Sequence, residues 1–262
     1  MSARGLLVVA VLGALSACTT QIVNSGERDA RPTAEQPDPV RIANARLELA
    51  GLYFGRGQAA TALDEIKRAL AAKPDMAEAF GMRALIYASQ GDATQADESF
   101  QRAMQLAPRD GGTMHNYAWF LCQQGRYAQA DALFAQTLAL PGYRDTVRTL
   151  LAQGVCQARE GRLPEAEHTL SRSYELDPAS PVTAYNLADV LLRRGELERA
   201  RFYIGRINAD RELSSAQSLW LAARIEHRLG HAAAVEQLGR QLRERFPQST
   251  QALQFERGRF DE

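Results

Sequence analysis

The sequence of 262 residues has no excess charge of either sign: Lys and Arg total 31, and Asp and Glu also total 31. A surface that binds nucleic acid draws much of its affinity from basic residues that neutralise phosphates, so no such partner is expected. Histidine is scarce at four residues and cysteine at three. His227 and His231 have the spacing of a helical metal pair, but Gly230 falls between them at a helix end and no further ligand completes a set. His115 and His168 are isolated. There is no glycine-rich phosphate loop and no Gly-x-Ser-x-Gly elbow. These absences leave no constellation for an enzyme and imply no metal, cofactor or small-molecule substrate. Also lacking is any apolar run near the roughly 20 residues that a permanent membrane-spanning helix needs.

The N-terminus has a different organisation. Arg4 supplies a positive charge, an apolar stretch runs from Gly5 to Leu15, and Leu15-Ser16-Ala17-Cys18 follows. The pattern fits a secretory signal over residues 1–17, and its last four residues resemble the lipobox of bacterial lipoproteins. That resemblance implies cleavage before Cys18 and acylation of it; the alternative is an ordinary cleaved signal with an incidental cysteine. Several acyl chains on one residue meet the requirement for stable anchoring. Thr19, where an aspartate would retain the protein at the inner membrane, implies the outer membrane with the body facing the periplasm. Residues 18–40 are polar and rich in proline and charge, so they read as a flexible tether that cannot bury enough surface to offset its ordering entropy.

Beyond residue 40 the chain repeats. Gly57, Gly91, Gly125, Gly161, Gly195 and Gly230 recur every 34 to 36 residues. Seven residues before each stands a small residue (Ala50, Ala84, Ala118, Gly154, Ala188, Ala223). Five residues after the first five stand Ala62, Ala96, Ala130, Ala166 and Ala200, with Val235 in the sixth. Pro74, Pro108, Pro178 and Pro247 close four of the units. The pattern resembles the 34-residue tetratricopeptide repeat. It implies an all-α, right-handed α-solenoid of six helical hairpins with a short capping helix over 249–260. The body spans 41–262, with units at about 43–76, 77–110, 111–146, 147–180, 181–215 and 216–249. Leu140-Pro141-Gly142-Tyr143 carries two extra residues and implies a distorted turn. The acidic pairs Asp64-Glu65 and Asp97-Glu98 read as solvated faces of second helices.

If Cys18 is lipidated, Cys122 and Cys156 remain. In an oxidising compartment an even pair is usually bridged, and both fall on first helices of successive units, which are neighbours in such a stack. Two buried thiols are the alternative. First helices line the inner side of a helical solenoid, and repeat offsets place Leu47, Phe54, Leu85, His115, Trp119, Leu151, Val155, Tyr185, Asp189 and Trp220 there. A groove apolar at its N-terminal end is therefore expected to bind protein, unless those side chains pack on one another. Asn116 and Asn186 occupy equivalent positions, able to hold a peptide backbone or to bridge helices.

The stretch Asn116-Tyr117-Ala118-Trp119-Phe120-Leu121-Cys122, continued to Leu140-Pro141-Gly142-Tyr143, resembles the signature of the type IV pilus biogenesis/stability lipoproteins, the PilF/PilW family; Ala118 and Trp119 depart mildly from it. The likeness covers lipobox, six repeats and the cysteine pair. It implies a pilotin that binds secretin subunits and promotes their localisation and multimerisation in the outer membrane. A competing class shares anchor and repeats: a scaffold serving β-barrel assembly, or a recruiter and regulator of cell-wall enzymes.

Overall fold

The computed structural model describes residues 38–260. Cys18, the expected signal peptide and the tether up to residue 37 lie outside the described residues. The described residues form thirteen α-helices and no strand. Twelve of them make six hairpins: α1 (Pro39–Gly55) with α2 (Ala59–Ala72), α3 (Ala77–Ser89) with α4 (Ala93–Leu106), and α5 (Gly111–Gln123) with α6 (Tyr127–Leu138). The series continues as α7 (Thr146–Glu160) with α8 (Leu163–Leu176), α9 (Pro181–Arg194) with α10 (Leu197–Asn208), and α11 (Ala216–Arg228) with α12 (Ala232–Arg245). A short α13 (Thr250–Glu256) closes the C-terminal end against α11 and α12.

The hairpins form because small residues let two helices cross closely. Ala50, Ala84, Ala118, Ala188 and Ala223 are fully buried, as are Ala62, Ala96, Ala130, Ala166 and Ala200 on the partner helices. In unit four even alanine is too large: a Cβ on Gly154 would lie 2.6 Å from Leu170 Cγ and 3.3 Å from its backbone nitrogen. Each first helix ends at a glycine with positive φ, such as Gly161 at 91°, a conformation that favours glycine. Behind each crossing a large apolar side chain fills the wedge: Ile66, Phe100, Phe134, Leu170 and Ile204. The sixth unit has Gly239 at that place. Phe255 of α13 fills the gap, its ring carbon 2.1 Å from where a Cβ would stand.

Stacking is asymmetric. The backbones of α1 and α3, α3 and α5, α5 and α7, α7 and α9, and α9 and α11 approach within 8 Å, whereas no two of the second helices α2 to α12 do. Spacing that is tighter among first helices curves the stack, with those helices on its inner side.

Three local expectations are corrected. The helical body begins at Pro39 rather than after residue 40, because Asp38 caps α1 by accepting from Val40 N at 2.9 Å; the Asp-Pro that reads as tether is a cap and a first helical residue. Glu65 is not on a solvated face. It is 6% exposed and accepts from Arg46 and Arg68, each at 2.8 Å, so it ties α1 to α2. Asp97 likewise accepts from Tyr117 Oη and Arg126 Nη1, both at 2.8 Å. The insertion after α6 turns back at Gly142 (φ 72°) and lays the Tyr143 ring against Gly111, where a Cβ would meet Cε2 at 2.6 Å.

The Gly154 contact yields a test. Gly154→Val is expected to lower stability by about 1–3 kcal/mol through overpacking, although valine is the better helix former. Urea unfolding followed by circular dichroism measures it; an unchanged midpoint would show that α7 and α8 can separate freely.

Candidate partner-binding groove

The inner faces of α5, α7 and the start of α9 enclose an open pocket of about 400 Å³ lined by His115, Trp119, Arg148, Leu151, Ala152, Val155, Val182 and Asn186. A second pocket of about 310 Å³ adjoins it through the shared Val182 and is lined also by Pro181, Tyr185, Ile207, Leu213 and Ser218. Val182 is 56% exposed and Leu213 46%, so the trough presents large apolar side chains to solvent.

Helix periodicity positions this lining. His115 and Trp119 are four apart on α5, and Leu151 and Val155 four apart on α7, so each pair shares one helix face. The expected residues Trp119, Leu151, Val155, His115 and Asn186 therefore meet in the first pocket, and Tyr185 stands in the second. Leu47, Phe54 and Leu85 line neither of these pockets. They are partly buried, Leu47 and Phe54 against the core of unit one and Leu85 against that of unit two. The trough described here thus lies over units three to five rather than at the N-terminal end. Trp220 is 7% exposed and covered by Phe255 and Phe260, hence part of the cap.

The polar members are held in place. His115 is 4% exposed, and its Nδ1 lies 2.8 Å from Thr149 Oγ1, which in turn lies 2.7 Å from Tyr143 Oη. Burial, aided by Arg148 and opposed by Asp145, lowers the imidazole pKa from 6.5 to about 4. The ring is therefore neutral near pH 7. Asn116 Oδ1 accepts from Arg148 Nη2 at 3.1 Å, bridging α5 to α7, whereas Asn186 Nδ2 donates to Val182 O in its own helix at 2.8 Å. Burial raises the Asp189 carboxyl above its ordinary range, against the opposing pull of Arg193 and Arg224. Burial raises the Tyr185 phenol as well, with Asp189 adding to it.

Sequence reasoning missed Arg148, Val182 and Arg159. The Arg159 guanidinium lies 5.0 Å from the centre of the Trp119 ring, a cation–π contact across one repeat. Arg148 and Val182 occupy equivalent positions in α7 and α9, each thirteen residues before the glycine that ends its helix, so the repeat offset is the signal that could have found both. Cys122 and Cys156 are bonded, with Cα atoms 5.8 Å apart, tying α5 to α7 below the trough. His231 Nδ1 contacts Glu226 Oε2 at 2.7 Å and His227 stacks on Phe260; no group of three or more metal-ligating side chains occurs among the described residues.

Paired helices stacked with their first members inward, leaving an apolar trough on that side, define a helical-repeat scaffold for holding other proteins. Tetratricopeptide-repeat family models match residues 47–111, 87–154 and 157–225. Among solved structures, PilW, described as a widely conserved type IV pilus biogenesis factor, is 31% identical, with a TM-score of 0.76 over 81% of this chain and 97% of that one. PilF of Pseudomonas aeruginosa is 23% identical, with a TM-score of 0.71 over 84% and 99%. YrrB, a repeat protein with an unusual peptide-binding site, shares the fold at 14% identity and a TM-score of 0.57, over 73% of this chain and 97% of that one. No curated protein sequence matches. The chain belongs to the tetratricopeptide-repeat family and, within it, to the PilW-type proteins of type IV pilus biogenesis.

Two measurements follow from this geometry. Removing the Cys122–Cys156 bond, by reductant or by paired serine substitutions, is expected to cost about 4 kcal/mol in the chain-entropy account of a loop this long; urea unfolding with and without reductant measures the difference. For His115, both states are neutral above pH 6.5. As pH falls from 6.5 toward 4 the unfolded chain binds the proton and the folded one does not, so stability declines there by at most about 1.4 kcal/mol per pH unit from this residue. His115→Gln is expected to flatten the decline of melting temperature across that window; an identical slope would assign it to other groups.

Proposed function

We propose that this chain is a lipid-anchored pilotin: acylated at Cys18, held at the outer membrane with its body in the periplasm, it captures secretin subunits in the trough and promotes their multimerisation during type IV pilus biogenesis. One observation carries the reading. An apolar trough lies on the inner face of a chain that aligns with nearly the full length of a type IV pilus biogenesis factor. Exposed contiguous apolar surface is commonly a protein contact. The inferred lipid supports the same role, since tethering raises the effective concentration of partners at the membrane. Capture is non-covalent and needs no cofactor.

Deleting the gene and resolving secretin multimers on a denaturing gel tests the proposal. Multimers are expected to fall several-fold and to return with the wild-type gene. Cys18→Ala is expected to move the protein from the membrane to the soluble fraction and to restore multimers poorly. Unchanged multimers after deletion would remove the pilotin role.

A further inference from the structure

The chain is neutral overall, yet its charges are not evenly placed along the first helices. On α7, α9 and α11 the carboxylates are Glu160, Asp189 and Glu226, and α5 has none. Glu160 is paired with Arg162, at 2.6 Å, outside the trough. Glu226 is paired with Arg201 and His231. On the basic side Arg194 is paired with Glu167 of α8, and Arg224 Nε donates to Phe260 O. Arg148, Arg159, Arg193, Arg224 and Arg228 remain, against Asp189 and the α7 N-cap residue Asp145.

Three of these recur one per unit. Arg159, Arg193 and Arg228 occupy equivalent positions in the last turns of α7, α9 and α11. Arg193 Nη2 donates to Ala158 O at 2.8 Å, and Arg228 Nη1 donates to Leu192 O at 2.9 Å. Each guanidinium thus caps the carbonyl end of the preceding first helix, where cations are favoured. One N–H is used in each case, and a guanidinium has five. Arg193 also lies 3.8 Å from Asp189, a loose pairing. Arg159 is held over Trp119. The row is fixed in position with donors to spare. Arg148 stands at the other end of α7, eleven residues away, or about 16 Å along the helix axis. An apolar floor of Trp119, Leu151, Val155 and Val182 therefore has guanidiniums at both ends, and the carboxylates near it are Asp189 and the exposed Asp145 that precedes α7.

We infer that the trough selects a partner segment in which bulky apolar side chains are flanked by carboxylates, the apolar groups entering the floor and the carboxylates meeting Arg148 at one end and the row of Arg159 and Arg193 at the other. The inference rests on the reading of this trough as the partner-binding surface. Guanidiniums already held in place, Arg193 by a backbone carbonyl, Arg159 over Trp119 and Arg148 on Asn116, lose little freedom on binding and can donate to a carboxylate in bidentate geometry. Charge complementarity sets which sequences are accepted, while the floor supplies the contact area.

Panning a random 15-residue peptide display library on the mature chain carrying Cys18→Ala tests this. Enriched peptides are expected to carry Asp or Glu within a few residues of Leu, Ile, Phe or Trp, and to bind more weakly as salt rises. The variant R159E/R193E is expected to bind those peptides at least about tenfold more weakly, and to recover affinity for versions with Lys in place of the acids. Circular dichroism controls for its fold; should the pair unfold, R148E, whose side chain is exposed, serves instead. Enrichment of basic or uncharged flanks, no enrichment at all, equal binding by the charge-reversed variant, or occupation of the trough by a second copy of the chain in sedimentation velocity would each overturn the inference. Failure here leaves the secretin assay untouched, and loss of the pilotin role leaves a measured peptide preference intact, so the two are separable.

Discussion

Every hairpin depends on the close crossing of its two helices at a pair of small residues. Where alanine meets alanine, as at Ala118 and Ala130, both are fully buried, and the backbones come near enough for one large side chain, such as Phe134, to seal the remaining wedge. The crossing sets the angle of each hairpin, and repetition of that angle brings the first helices into a contiguous row. No single hairpin covers its own apolar face; the next one does. The trough is a consequence of that arrangement: inward positions of α5, α7 and α9 that neither neighbour covers.

Much of this was legible in sequence because the crossing residues and terminal glycines recur at a fixed interval, and periodicity reports backbone requirements directly. The six hairpins follow from it, and so does the shared inner face of Trp119, Leu151 and Val155. What escaped are interactions between elements that no period encodes. Gly239 stands where the first five units have a large apolar residue, and Phe255 of α13 fills its place. Glu65 has the composition of a surface residue but is enclosed by two arginines. Leu47, Phe54 and Leu85 have the right offsets for a groove and are partly buried against their own units, as Trp119 and Leu151 are, yet only the latter pair lines the described trough. Offset identifies which way a side chain points, while depth depends on the neighbours it meets there.

The insertion after α6 illustrates how one irregularity shapes the site. Two extra residues let Tyr143 fold against Gly111 and reach Thr149, whose hydroxyl meets His115. The imidazole is thereby held in place, and its burial keeps it uncharged near pH 7. Arg148, bridged to Asn116, closes the same corner. The last hairpin is covered by its cap, and the middle of the stack presents the open trough.

A stack of repeats is nearly one-dimensional, and its weak joints are the interfaces between neighbours. The bond between Cys122 and Cys156 crosses one such joint. Units three and four therefore cannot part while it persists, and they behave as a double-length block among single ones. Fraying that starts at either end meets this block in the interior. The part of the array that presents Trp119 and Leu151 is thus the part that stays assembled when the ends have opened, and a polypeptide gripped there would be held by a clasp whose two jaws are covalently joined.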